Sequence, residues 1–467
     1  MSVPVVSVAQ MREWEESTWA SGQAVDTVMR QAGRAVAECA MRMTRSGDAI
    51  VVLAGKGNNG GDAKYAAEYT KDRKVFLIDA SNPVDACSEF TLSKTPRLII
   101  DGLFGIGLNR ALNEEWISLI DAVNKSEAPV LAVDSPSGLN CDTGEVMGAA
   151  IRAAVTVTFA APKTGLIGNE FAEHVGKLYV ADRIGLIDCP FDGDLRWTLP
   201  GDFTNFPNLR PDGGHKGTFG HLAILAGSLG FHGAAVLAAR AAHRAMPGLV
   251  SLFTTKAAHP LVASQLQQTM VHPFAGKLPD NASAILVGPG LAGPDVTDEL
   301  IEFVRTMWLE TPLPMIVDAS ALDWLPRGAH ASAPRVITPH PGEAARLLQI
   351  PNTKVQQDRV KAAANLREHY DCQVVLKGRQ TLVRGLTGTT HINSTGNSGL
   401  GQGGSGDVLA GYLAGLLAQP LLRDDLDRLI RFGVWEHGCV ADQLAGSRYA
   451  WDLEDLVPLL GNSRLKP

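Results

Sequence analysis

Short uninterrupted runs of Val, Ile, Leu and Ala recur along the chain, each ending in glycine or aspartate and each followed by residues with helical spacing. An apolar run without alternation is what a strand buried on both faces of a parallel sheet requires, and a 3.6-residue period marks the helices that cover it. In the first part this pattern predicts strands at 50–54, 75–78, 98–101, 130–134 and 155–159, preceded by a helix over 24–43. In the second part it predicts strands at 221–226, 249–254, 284–287, 315–318, 335–338 and 374–377. Between 193 and 214 the periodicity collapses into Gly, Pro and Asp, which places a domain boundary near residue 205 and gives two α/β domains, 1–205 and 206–467. Open parallel sheets bind ligands beyond the carboxyl ends of their strands, so the residues after each run are the candidate site.

Composition narrows the picture. A chain of 467 residues with 45% hydrophobic and 19% charged residues has ample core material and too little charge for disorder. Lys+Arg 42 against Asp+Glu 49 gives −7, which offers no general attraction to nucleic acid or to an anionic membrane. The six cysteines form no C-x-x-C pair, which argues against a zinc ribbon or a dithiol redox site. Acidic and basic residues arrive early, at Arg12, Glu13, Glu15 and Glu16, so no secretion signal is read and a cytoplasmic location is expected. The apolar stretch 233–250 carries Arg240, His243 and Arg244 and reads as a buried helix, not a membrane span.

Three strand ends in the first half carry polar chemistry. The run 50–54 leads into Gly55-Lys56-Gly57-Asn58-Asn59-Gly60-Gly61-Asp62, with a helix expected from Ala63. Glycines let backbone amides approach a phosphate, and a tight structural turn is the plain alternative. The run 98–101 ends in Asp101 and leads into a second glycine loop, Gly102 to Arg110; 130–134 ends in Asp134 and leads into Ser135-Pro136-Ser137-Gly138. Asp101, Asp134, Asn59 and Ser137 are hard oxygen donors that suit an alkali or alkaline-earth cation better than zinc.

GKGNNGGD, DGLFGIGL, VDSPSGLNCDTG and TFAAPKTGL, in this order and spacing, resemble the NAD(P)H-hydrate epimerase domain over roughly residues 5–190. The resemblance implies a Rossmann-like three-layer α/β/α sandwich that interconverts the R and S hydrates of reduced nicotinamide nucleotides. It implies further that Asn58, Asn59, Gly60, Gly61 and Asp62, with Gly105, Ile106, Gly107, Leu108, Asn109, Arg110 and Ala111, hold the damaged nucleotide. Asp134 would contact its reacting ring and shuttle protons, while Asn59, Asp101 and Ser137 would bind a potassium ion. Ala63 after GGD and Ser135 before PSG depart from the family pattern.

In the second half, Gly396 is followed by Asn397-Ser398-Gly399-Leu400-Gly401-Gln402-Gly403-Gly404-Ser405-Gly406-Asp407, immediately before an apolar helical run. Amides at such a helix start form an anion nest. An acid in the same turn points to a base acting on a substrate hydroxyl that meets a nucleotide phosphate; the plain alternative is an aspartate favoured by the helix dipole. His340, set between prolines in TPHPGE, reads as a ligand contact more readily than as a core histidine, and Lys216 and Lys377 read as phosphate partners.

HKGTFGHLAILAGS, VGPGL, DASAL, TPHPGEAARLL, VLKGRQT and GNSGLGQGGSGDVLAG together resemble the ADP-dependent NAD(P)H-hydrate dehydratase domain, a ribokinase-like α/β fold, over about 210–460. The resemblance implies that Gly290, His340 and Asp407 contact the hydrated nucleotide, and that Lys377, Gly378, Arg379, Gln380 and Thr381, with Asn397 to Gly406, hold ADP and its magnesium. Phosphorylating the ring hydroxyl would make a leaving group whose elimination regenerates NADH or NADPH, with AMP and phosphate as by-products. The expected partners are therefore small molecules, with no nucleic acid and no membrane; a homo-oligomer is left open. The rival reading is a vitamin or sugar kinase fused to a nucleotide-binding module without chemistry, which leaves GKGNNGGD and TPHPGEAARLL unexplained.

Overall fold

The computed structural model of the protein describes residues 2–92, 96–328 and 332–463, which divide into two compact units, Val3–Gly193 and the chain from Asp194 onward. The boundary expected near 205 lies inside the second unit. Leu195–Trp197 is a short strand that pairs in parallel with Thr390–Ile392, which ties the linker region to the second sheet.

The first unit is built on an all-parallel sheet in the order Lys74–Asp79, Ala49–Ala54, Leu98–Gly102, Val130–Val133, Val155–Phe159 and Lys177–Ala181. The second to fifth strands of that order are buried along nearly their whole length, which is why their sequences are uninterrupted Val/Ile/Leu runs. After Lys74–Asp79 the chain crosses to the other flank of Ala49–Ala54, so the order reverses between Ala49–Ala54 and Leu98–Gly102. A ligand crevice opens at such a reversal. Asn59 and Phe104 lie directly beyond those two strands.

Two expectations about this unit change. The helix predicted from Ala63 begins at Asn58, so NNGGD is the first helical turn and not a preceding loop. A Cβ on Gly60 would stand 1.9 Å from the carbonyl oxygen of Gly55, and one on Gly55 would stand 2.1 Å from that of Leu103, so glycine is what lets the helix start this close to the strands. The strand Lys177–Ala181 escapes the sequence pattern because it is an edge strand whose residues are mostly half-exposed.

In the second unit the sheet runs Leu195–Trp197, Thr390–Ile392, Leu382–Arg384, Gln373–Leu376, Arg335–Ile337, Met315–Val317, Ala284–Val287, His221–Leu225, Leu249–Thr254 and Met270–Pro273. It is parallel from Gln373–Leu376 to Met270–Pro273, while Leu382–Arg384 is antiparallel to both its neighbours. Here the order reverses between His221–Leu225 and Ala284–Val287, at the GPG loop. The helices His232–Arg244 and Ser405–Leu417 bury alanine, valine and leucine in one core. Among the described residues no helix is long and apolar enough to cross a membrane.

Those two helices touch through backbone. A Cβ on Gly411 would lie 2.1 Å from the Ala238 carbonyl oxygen, and one on Gly415 would lie 2.4 Å from that of Ala242. This contact sets the position of the Ser405 end of the helix. Gly411→Ala is therefore expected to destabilise the protein by about 1–3 kcal/mol through overpacking, read as a lower melting temperature; an unchanged melt would mean that the helices can part without cost.

Candidate functional site

In the first unit three strand ends converge on the backbone of Phe104. Asn59 Nδ2 donates to the Phe104 carbonyl at 2.9 Å, and the Phe104 N–H donates to Ser137 Oγ at 2.9 Å. Ser137 in turn donates its hydroxyl (2.6 Å) and its backbone N–H (2.8 Å) to the two oxygens of Asp101, which also accepts from the Leu103 N–H at 3.2 Å. Burial pushes the Asp101 carboxyl up to about 6, against these three donors that lower it. Asn59 Oδ1 is buried without a partner. Asn59, Asp101 and Ser137 are thus brought together. Among the described residues no group of three His, Cys, Asp or Glu side chains is placed to hold a metal ion, so a cation here would rest on neutral oxygens beside one carboxylate.

Asp134 ends its strand in the left-handed region, at φ 60°. Its Oδ1 accepts from Lys163 Nζ at 2.7 Å, from Thr158 Oγ1 at 3.1 Å and from the Phe159 N–H at 3.2 Å. Lys163 has no exposed surface, and its ammonium also donates to Thr158 Oγ1 (3.0 Å) and to the Phe159 carbonyl (3.1 Å), so its three N–H donors are matched by three acceptors. Sequence reasoning quoted Lys163 within TFAAPKTGL and gave it no role; the signal was a lysine set directly after an apolar strand end and a proline. Asp62 is also buried, its Oδ1 has no partner, and burial together with the charges of Asp134 and Glu15 pushes its carboxyl up to about 8. The loop from Gly105 to Ala111 lies at the surface, with Gly107, Asn109, Arg110 and Ala111 exposed.

In the second unit the carboxyl ends of three neighbouring strands meet two helix starts. Lys377 Nζ lies 2.7 Å from Asp318 Oδ1 and 3.9 Å from Glu343 Oε2, and Thr338 Oγ1 donates to Asp318 Oδ1 at 2.7 Å. Asp407 faces the same group from the first turn of Ser405–Leu417. Burial, then the charge of Asp318, pushes its carboxyl up to about 7, against Lys377, which lowers it. The helix starts at Gly404 (φ 96°) with no side-chain hydrogen bond capping it, and Lys377 Nζ lies 3.1 Å from where a Cβ on Gly406 would stand.

The flanking loops are held from behind. Arg359 is buried, donates to the carbonyls of Leu376 (3.1 Å), Lys377 (3.2 Å) and Arg379, and so fixes the turn that carries Lys377, Gly378, Arg379, Gln380 and Thr381. Asn397 Oδ1 accepts from the Gly399 N–H (2.9 Å), and Gln402 Nε2 donates to the carbonyls of Gly399 (2.7 Å) and Trp451 (3.2 Å), which folds the 397–406 loop onto itself. Gly290 (φ 67°) presents its carbonyl to Ser228 Oγ at 2.6 Å, and a Cβ on it would stand 2.3 Å from the Phe231 carbonyl oxygen. His340 is neither buried nor loose: it caps the helix Pro341–Leu348, its Nδ1 accepting from the N–H groups of Gly342 (3.0 Å) and Glu343 (3.3 Å). A ring that accepts at Nδ1 carries its proton on Nε2, which lies 3.4 Å from Glu343 Oε1 on a ring that is still half-exposed. Lys216 is exposed in its loop. Asp318, Glu343, Thr338 and Arg359 were not singled out from sequence as site residues, and the first three stand inside motifs that were quoted whole.

Residues 222–459 match the family described as NAD(P)H-hydrate dehydratase, and residues 25–83 and 76–165 match the family described as YjeF-related protein N-terminus. The chain is 35% identical to a bifunctional NAD(P)H-hydrate repair enzyme of Coxiella burnetii, over 97% of each chain. It is 34% identical to the enzyme of the same description from Escherichia coli K12, over 85% of this chain and 80% of the relative. A ribokinase-like superfamily protein from Enterococcus faecalis V583 superposes with a TM-score of 0.51 at 25% identity, covering 59% of this chain and 96% of that one.

The Asp407 environment is testable without substrate. Lys377→Met removes the one cation that lowers the Asp407 carboxyl, so its titration, followed by carbon NMR of the labelled carboxyl, is expected to move up by about one pH unit or more. An unmoved titration would show that the ammonium does not act on Asp407.

Proposed function

The chain belongs to the family of bifunctional NAD(P)H-hydrate repair enzymes, and from that premise we propose that its two units carry out successive steps of one repair. The first exchanges the R and S hydrates of NADH and NADPH. The second uses ADP to convert the S hydrate back to the reduced nucleotide. The observation that carries this reading is the Asp407 carboxyl, poised near neutrality at an uncapped, glycine-flanked helix start. That combination serves a proton acceptor beside a phosphate better than it serves a static helix cap.

In the second unit Asp407 takes the proton of the ring hydroxyl while the hydroxyl oxygen forms a bond to the terminal phosphorus of ADP; the phosphoanhydride bond breaks and AMP leaves. The ring nitrogen lone pair then expels the phosphate ester, and loss of the neighbouring ring proton restores the double bond. The amides of the 404–406 turn and the Lys377 ammonium, close to one another at the helix start, would stabilise the developing phosphate charge. Magnesium suits this donor set only through the nucleotide phosphates, because Asp318 and Glu343 already accept from Lys377, Thr338 and the His340 N–H. When bound it neutralises phosphate charge.

In the first unit Asn58 to Asp62 and the 105–111 loop would hold the nucleotide, with Asp134 at the reacting ring. The orphaned Asn59 Oδ1 beside the Asp101 carboxylate and Ser137 suits a potassium ion, which would supply a positive charge for the nucleotide phosphates.

With ADP, magnesium and mixed NADH hydrates, the purified chain should restore the absorbance of the reduced ring completely; recovery that stops at the S fraction would exclude the exchange step. Asp407→Asn is expected to lower dehydration by at least about 100-fold with ADP affinity kept, and the wild-type rate should fall as pH drops below about 7, where Asp407 is protonated. Normal turnover by that variant would reduce Asp407 to a helix-start residue. Asp134→Asn should slow exchange and leave dehydration of pure S hydrate unchanged; unaltered exchange would remove Asp134 from the reaction.

A further inference from the structure

One lysine and three carboxylates share the ligand end of the first sheet, and the lysine touches only one of them. Lys163 contacts Asp134 through Oδ1 alone, with Thr158 and the Phe159 N–H on that same oxygen. Asp62 comes from the first turn of Asn58–Tyr69 and Glu15 from the helix Val8–Ala20, both near enough for their charges to act on one another and on Asp134. Asp62 is a buried residue, and its Oδ1 has no donor. A buried carboxylate with neither cation nor donor is the costly member of such a set, whereas a buried carboxylic acid is not.

We propose that Asp62 is the proton donor of hydrate exchange and that Lys163 is a positioning residue that reserves Asp134 as the fixed negative charge. This rests on the exchange reading given above and assigns its proton traffic. The carbon–oxygen bond of the ring hydroxyl breaks with its electron pair going to oxygen. The oxygen takes the proton of the Asp62 carboxyl and departs as water. The ring nitrogen lone pair forms the carbon–nitrogen double bond, and the resulting cation faces the Asp134 carboxylate. Water then adds to the opposite face of that carbon and gives its proton to solvent, from which Asp62 is protonated again. No oxidant, reductant or further reactant is needed.

The other charged groups around Asp62 agree with this division. Burial comes first in raising Asp62, followed by Asp134 and then Glu15, so ionised neighbours favour its acid form. Glu15 is itself pushed up by burial and then by Asp134, while Lys163 and Arg12 pull it down. The thiol of Cys141, which also senses the charges of Asp134 and Lys163, is pushed up to about 12 by burial and stays neutral.

The test follows R-to-S exchange by chromatography in the full chain without ADP, so that the second unit is idle. Because the acid form of Asp62 is required, the wild-type rate should be lost as pH rises through its titration near 8. Asp62→Asn should lower kcat by at least about 100-fold with KM within about threefold. Lys163→Met should lower kcat by at least about tenfold with KM within about threefold, a split that a purely structural lysine would not produce. A wild-type rate flat to about pH 10, or an Asp62→Asn variant at full rate, would overturn the proposal while leaving the exchange reading intact. A wild-type chain that exchanges no hydrate at any pH would overturn the exchange reading itself.

Discussion

Both candidate sites depend on backbone meeting backbone at distances that a Cβ would forbid. The Asn58 helix starts against its sheet because Gly55 and Gly60 leave no side chain between them, and Gly102 is equally tight, its Cβ position lying 2.4 Å from that of Ala63. In the second unit a Cβ on Gly288 would stand 1.8 Å from the Asp318 carbonyl oxygen, so the GPG loop and the strand end bearing Asp318 lie in contact. Gly411 and Gly415 do the same between two helices and so determine where the Asp407 turn lies. The 48 glycines of the chain are therefore more than turn residues. At these places they let helix amides and carboxylates converge at the strand ends without a flexible side chain intervening.

The second shared constraint is electrical. Each unit places a single lysine ammonium among several buried carboxylates, and in each the lysine lies closest to one of them, Asp134 in the first and Asp318 in the second, at 2.7 Å in both, with Glu343 at 3.9 Å in the second. The paired carboxylate gains a counter-charge, and the next one inherits both burial and like-charge repulsion. Asp62 and Asp407 are the carboxylates so displaced, one to about 8 and one to about 7. Environments that push neighbouring carboxylates apart in this way separate proton carriers from fixed charges.

Much of this was legible in the sequence for physical reasons. Central parallel strands are buried on both faces, so 50–54, 98–101 and 284–287 stood out as apolar runs and agree with the observed strands to within a residue. The edge and antiparallel strands Lys177–Ala181, Met270–Pro273, Leu382–Arg384 and Thr390–Ile392 were missed because they are short or half-exposed. Asp134 and Asp407 could be picked out because an acid directly beyond a strand or inside a glycine-rich helix start violates the bland pattern. Lys163, Asp318 and Glu343 could not be assigned in the same way, since their meaning lies in pairings across 29, 59 and 34 positions of sequence that only the folded sheet creates. His340 shows the converse, where an unusual sequence setting proved to be a helix cap that still presents one ring edge outward.

The two displaced carboxylates differ in ways that fit opposite tasks. Asp62 has an oxygen without a donor, and the charges that act on it, Asp134 and Glu15, are both negative, so burial and like charge together favour its acid form. Asp407 lies in the first turn of a long helix, where the dipole favours the anion, and Lys377 opposes the raising effects of Asp318 and Glu343. Its proton is therefore more easily lost, as the base role proposed for it would need. One arrangement of lysine and carboxylates can thus be set to give a proton or to take one, according to whether the unpaired carboxylate faces only like charge or also a helix start and a cation.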